Sequence, residues 1–191
     1  MPQAGELGAS WSLVGTTRQP PTEAPPDDAL IDAAQGEPAC RDALKALAAS
    51  GDAPAHFARS VYRFHPKAGP VADRDLTLTV ATYDSLPDRA GQVRAVTSAC
   101  TEPLTTRAGV RTVQMTVDSH SYPVKGAVGY TVAYTTDGLR YAYDYVVATR
   151  GQALVTATVT GPDTTSNGAA LKRAVSLVTA RLDGAQPTAT G

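Results

Sequence analysis

Asp137-Gly138 separates two runs of alternating character, Val128 to Thr136 and Leu139 to Thr149. A dipeptide of this kind favours a two-residue hairpin turn, whose central positions need the left-handed backbone that Asn, Asp and Gly tolerate best. Such a turn fixes the register of its two strands. Thr136 then faces Leu139, Tyr134 faces Tyr141, Val132 faces Tyr143, Tyr130 faces Tyr145 and Val128 faces Val147. Directly opposed side chains share a face of the sheet, so five of the eight tyrosines line one side of the hairpin.

Arg150-Gly151 reads as a second two-residue turn, leading into a strand from Gln152 to Thr160. That turn sets Tyr145 opposite Thr156, Tyr143 opposite Thr158 and Tyr141 opposite Thr160. The other face carries Ala142, Val146, Ala148, Val155, Ala157 and Val159, with Arg140 and Asp144 among them. Two assignments follow. In one, the Ala/Val face is core and the Tyr/Thr face is an open surface, where amphipathic phenols suit small or peptidic ligands. The ligand-binding residues are then Tyr130, Tyr134, Tyr141, Tyr143, Tyr145, Thr156 and Thr158. In the other, the tyrosines are core aromatics with hydroxyls at the rim, as aromatic stripes commonly are.

Upstream, His56 to Phe64 and Asp75 to Tyr83 alternate as strands, separated by a loop from His65 to Pro70. Val110 to Asp118 alternates in the same way. Helical spacing places Cys40, Ala43, Leu44 and Leu47 on one stripe of a helix from Pro38 to Ser50. A second helix spans Leu86 to Cys100, with Ser85 as N-cap and Asp88 three residues on. A last helix starts near Ser166-Asn167 and carries Leu171, Ala174, Val175, Val178 and Leu182. The order is α-β-β-α-β-β-β-β-α. It implies an α+β domain with a mostly antiparallel sheet of about six strands and helices packed on one face.

Residues 1–27 read as a flexible tail, marked by Pro20-Pro21 and Pro25-Pro26. Residues 28–184 read as a single domain, and 185–191 as a disordered C-terminal tail. Trp11, the only tryptophan, is expected to dock part of the first tail against the domain, because exposing it leaves much apolar area in water.

The chain has two cysteines, Cys40 and Cys100. Both fall on core-facing helical stripes, and a small even number beside a Pro-rich leader fits one disulfide in an oxidising compartment. Two separate buried thiols are the other reading. Met1-Pro2-Gln3 opens no basic and apolar export leader. The chain is then either cytoplasmic or the remainder after an export signal is removed, and the cysteines favour export. Net charge is −1 with no Lys/Arg run, which argues against a nucleic-acid partner. No run nears the ~20 apolar residues that span a bilayer.

Catalytic patterns are scarce. His56, His65 and His120 lie far apart, without His-x-x-x-His or Cys-x-x-Cys spacing, so no metal or cofactor is expected. Asp118-Ser119-His120-Ser121 offers a serine and a histidine as neighbours, but nucleophile and base usually come from distant segments, and a polar loop ending a strand is the simpler reading.

A Cys-bearing helix, two strands and a helix ending Ala95-Val96-Thr97-Ser98-Ala99-Cys100 make up a recognisable layout. The stretch Tyr145 to Val155, reading YVVATRGQALV, precedes the final helix. Over about residues 38–183 this resembles the extracellular sensor domain of mycobacterial PknH-type serine/threonine kinases and the actinobacterial lipoproteins that share it. The chain also resembles PsbP-like domains, more loosely, in its mix of sheet and helices. The first resemblance implies an antiparallel sheet with helices, a ligand cleft and no catalytic residues. That family usually carries two disulfides, and this chain has cysteines for one. The expectation is an exported, lipid-tethered, non-catalytic ligand-binding module on the extracellular side of the membrane. The alternative is an assembly protein that docks a partner through its sheet face and N-terminal tail. A hydrolase using Ser119 or Ser121 with His120 is a distant third.

Overall fold

The computed structural model describes residues 1–20, 28–49, 53–65, 74–108, 111–122, 124–136, 139–162 and 165–185. Its centre is the hairpin of β6 (Val128–Thr136) and β7 (Leu139–Arg150), paired in the register deduced above, from Thr136↔Leu139 to Val128↔Val147. The turn residues Asp137 and Gly138 lie outside the described residues. Strand β8 (Ala153–Pro162) follows, and its register differs from the expectation by two residues. Tyr145 faces Thr158, Tyr143 faces Thr160 and Tyr141 faces Pro162. The turn is Gly151-Gln152 rather than Arg150-Gly151, since Gly151 holds φ +56°, a backbone that glycine adopts without Cβ strain. A shift of two preserves side-chain parity, so the two faces are those deduced.

The sheet is α+β in setting and antiparallel throughout, with eight strands among the described residues, in the order β1-β2-β3-β8-β7-β6-β5-β4. Strands β2 (His56–Phe64), β3 (Arg74–Thr82) and β5 (Arg111–Ser121) match predicted runs, and β1 (Trp11–Thr17) and β4 (Leu104–Ala108) are additional. β1 corrects the view of residues 1–27 as a tail. Met1–Thr17 is built into the fold, with a short helix α1 (Ala4–Leu7) and an edge strand paired to β2 through a register shift between Leu13 and Gly15. Leu7 is buried, Tyr62 donates its hydroxyl to Pro2 O at 2.7 Å, and Trp11 packs on Phe64 at 5.3 Å. Trp11 thus docks as expected, but as a strand residue. Residues 21–27 and 186–191 lie outside the described set, and the final helix α5 (Thr165–Ala185) takes in Gly184 and Ala185.

The helices occupy both faces of the sheet, not one. On the Ala/Val face, Leu171, Ala174, Val175 and Val178 of α5 pack on Val146, Ala148, Val155, Ala157 and Val159, with Leu76 and Leu78 of β3. Small residues at 142, 148 and 157 let the helix approach closely. Asp144, the misfit on this face, is buried and accepts a hydrogen bond from the Thr131 hydroxyl across the hairpin. On the Tyr face lie α2 (Asp28–Ala33) with a 3₁₀ turn (Ala34–Gly36), α3 (Pro38–Ala48) and α4 (Arg89–Ala99). α2 has no counterpart in the sequence reading. The second predicted helix begins later than expected. Pro87 disfavours helical backbone at Leu86, and Asp88, not Ser85, is the cap, accepting from Gly91 N at 2.8 Å. α4 lies over β5–β7 and α2 over β4.

Cys40 and Cys100 are joined by a disulfide, both buried, linking α3 to the end of α4. The bridge closes a loop with a sequence separation of 60. In the chain-entropy picture, a loop of that size stabilises by about 4 kcal/mol. Replacing both cysteines by serine is therefore expected to lower the unfolding free energy by about 3–5 kcal/mol. Urea denaturation of the variant beside the oxidised wild type measures this, and an unchanged midpoint would contradict it.

Candidate functional site

The Tyr/Thr face divides into a covered half and an open half. Under the helices, Tyr130 is 6% exposed and tilts against Tyr145 at 5.3 Å between ring centroids. Leu30, Leu44, Val93 and Val96 close over this region. Tyr130 and Tyr145 therefore serve as core, as the second sequence assignment has it. Burial pushes the Tyr145 phenol up to about 12, against a small opposing pull from Arg89. Tyr143 packs on the rim of the same core and is half-buried. Tyr134 and Tyr141 stack on each other at 5.6 Å and are half-buried at the far end of the hairpin.

Beyond the helices, the same face continues across β8, β3 and β2. Register places Thr158 between Tyr145 and Thr77, with Val61 beyond. Thr156 stands between Val147 and Thr79, with Arg59 beyond. Thr160 stands between Tyr143 and Asp75, with Arg63 beyond. Thr77, Thr79, Thr156 and Thr158 are half-buried and Thr160 is exposed. The result is a hydroxyl strip with a cationic border. Arg63 grips Asp75 in two bonds, Nε to Oδ1 at 2.8 Å and Nη2 to Oδ2 at 3.0 Å, and holds its carboxyl below the usual range. Both side chains are over a third exposed, so the pair orients more than it stabilises. Arg59 Nε is enclosed and has no hydrogen-bond partner among the described residues.

Of the seven residues proposed from sequence, Thr156 and Thr158 stand on this strip, Tyr143 on its border, Tyr134 and Tyr141 beside it, and Tyr130 and Tyr145 under the helices. Thr77, Thr79 and Arg59 were missed as members. The alternation of β3 already set Thr77 and Thr79 opposite Leu76 and Leu78, but the pairing of β3 with β8 joins distant parts of the chain and has no local signal.

Ser119, His120 and Ser121 continue β5 rather than forming a loop. Neighbours on a strand point to opposite faces, so His120 is directed away from Ser119. The Ser121 side chain lies outside the described set. Among the described residues, no group of three or more His, Cys, Asp or Glu side chains gathers to hold a metal ion, and no helix is long and apolar enough to cross a membrane.

No family model and no curated protein matches the chain. Among solved structures, it aligns with the extracellular domain of PknH from Mycobacterium tuberculosis at TM-score 0.56 and 10% identity, over 96% of this chain and 93% of that one. This chain is similar in fold to that extracellular domain. It also aligns with an uncharacterised protein, the Rv0999 ortholog from Mycobacterium smegmatis, at TM-score 0.45 and 14% identity, over 93% and 97%. The first of these bears out the fold that the cysteine helices and the late strand pattern implied.

Tyr122 is pushed up to about 12 as well, by burial and then by the Asp144 carboxylate. Unfolded tyrosines ionise near pH ~10. The stability from these neutral phenols is therefore fully present below ~10 and is lost as pH rises through the window to about 12. Tyr145→Phe is expected to flatten the fall of unfolding free energy across that window by about one proton, as read from urea titrations at stepped pH. An unaltered slope would mean that the Tyr145 phenol ionises as freely in the folded protein as in the unfolded one.

Proposed function

We infer that the domain is an exported, non-catalytic binding module of the sensor type, taking a small or peptidic ligand on the part of its sheet that the helices leave uncovered. The observation that carries this reading is the hydroxyl strip: Thr77, Thr79, Thr156 and Thr158 in cross-strand rows, half-open to solvent, with Tyr143 at one border and Arg59 at the other. A sheet face facing only water needs no such boundary, whereas a bound ligand would meet donors and acceptors on the strip and an aromatic wall beside it. Tyr134 and Tyr141 extend that wall, and Tyr130 and Tyr145 support it from beneath the helices.

Export is supported by the buried Cys40–Cys100 bridge, since disulfides persist in oxidising compartments. The likeness to a kinase extracellular domain points the same way. Because α1 and β1 are built into the fold, a lipid anchor on this reading joins ahead of α1. Docking of a partner protein through a free N-terminal tail is less favoured, as Trp11 is already engaged by Phe64.

The test is chemical-shift mapping of the oxidised protein against a library of small fragments and short peptides. Hits are expected to move the amides of Thr77, Thr79, Thr156 and Thr158. Thr79→Arg is expected to weaken those hits at least tenfold while shifting the melting temperature by no more than a few degrees. Hits confined to other surfaces, or unaffected by Thr79→Arg, would refute the placement.

A further inference from the structure

One row of the open half combines an aromatic ring, a hydroxyl and a fixed ion pair. Across β7, β8, β3 and β2, Tyr143 stands beside Thr160, Thr160 beside Asp75 and Asp75 beside Arg63. Thr160 is exposed, and Tyr143, Asp75 and Arg63 are half-buried. Neighbouring strands lie ~4.8 Å apart, which sets Tyr143 and Asp75 about 10 Å apart along the row. Next on the same face of β7, Tyr141 continues the aromatic border, stacked on Tyr134 with ring planes 16° apart.

These groups prefer a neutral, hydroxyl-rich ligand. Arg63 and Asp75 cancel each other's charge, so the row carries no net formal charge that would select an ion. The Asp75 carboxylate accepts Arg63 Nε at Oδ1 and Nη2 at Oδ2, which leaves each oxygen a lone pair for a further donor. Its side chain is 44% exposed, so that donor can arrive from solvent. Two oxygens that each take one more bond suit a pair of adjacent hydroxyls, and bonds to an ionised carboxylate are stronger than neutral ones. The Thr160 hydroxyl both donates and accepts. The C–H face of a sugar ring is apolar and settles on the negative face of a phenol ring. An extended peptide fits less well. β7, β8 and β3 are each paired on both sides, so their backbone groups are engaged in the ladder and offer no strand addition.

We propose that the ligand of the uncovered sheet face is a neutral saccharide. One ring stacks on Tyr143, with Tyr141 beside it. Hydroxyls of that ring or the next bond Thr160 and the Asp75 carboxylate, which Arg63 holds in place. The proposal rests on the binding reading above and narrows it to one ligand class and to the row of Tyr143, Thr160 and Asp75.

Titration of the full oxidised chain with maltotriose, xylotriose and mannotriose, followed by amide chemical shifts, tests it. At least one trisaccharide is expected to give saturable shifts at Asp75, Tyr143 and Thr160. Asp75→Asn keeps the shape of the side chain and is expected to weaken that sugar at least tenfold. Its melting temperature is expected to stay within a few degrees of wild type, because the ion pair it breaks is largely open to solvent. Tyr143→Phe, which keeps the ring, is expected to bind as wild type does, and Tyr143→Leu severalfold more weakly. Tetrahydropyran, the ring without its hydroxyls, is expected to give no saturable shift. Saturable shifts from none of the trisaccharides, or binding unchanged in Asp75→Asn or in Tyr143→Leu, would overturn the proposal. Failure of the sugars while fragments or peptides still move Thr77, Thr79, Thr156 and Thr158 would strike out the saccharide and leave the binding reading standing. Failure of every probe at this face would remove both.

Discussion

The pairing of β6 with β7 decides which side chains share a face, and every other packing relation follows from it. A slip of one residue of β7 against β6 would move Tyr143 and Tyr145 onto the α5 side, away from Tyr130, and send Ala142, Val146 and Ala148 to the other helices. Neither helix layer could then close. α5 needs a floor of small and branched residues to bring Leu171 and Val175 near the sheet. The α3–α4 pair needs bulk to fill the space under two helices pinned together, and Tyr130 and Tyr145 provide it.

Both layers are closed by contacts from far along the chain. On one side, the Cys40–Cys100 bridge holds α3 to α4 above the tyrosines. On the other, α1 covers the edge of the α5 core with Leu7. Arg181 of α5 reaches back to Glu6 at 2.5 Å and to Met1 O at 2.7 Å, and Arg173 donates to Glu6 O. The N-terminal segment thus behaves as part of the core. What remains uncovered is the stretch of β2, β3 and β8 beyond the helix pair, where threonines replace tyrosines along the same rows.

How much of this was legible depended on how local each signal is. The hairpin register could be read residue by residue, because a two-residue turn transmits its geometry to both strands. The next turn was misplaced by one residue, and the register after it by two, because Gly151 was taken as the second central residue, whereas its positive φ belongs to the first. That slip left the faces intact, since parity is all that burial depends on. β1 was hidden by the prolines that follow it and by its mostly exposed side chains, which leave no apolar alternation. Helices on both faces could not be read, because an amphipathic stripe shows that a helix is covered without showing by which side of the sheet. For the same reason, the tyrosines could not be sorted in advance. Tyr130 and Tyr145 lie under α4, while Tyr141 and Tyr134, a few residues along the same strands, reach past it.

The central claim is that one sheet face is sealed by α5 while the other is left open along its threonines. Side-chain methyl relaxation with a soluble paramagnetic agent measures this directly. The methyls of Thr77, Thr79, Thr156 and Thr158 are predicted to relax strongly, and those of Val146, Val155 and Val159 to remain protected. Equal protection of the threonine and valine methyls would contradict the account, since it would mean that the strip is covered as fully as the core.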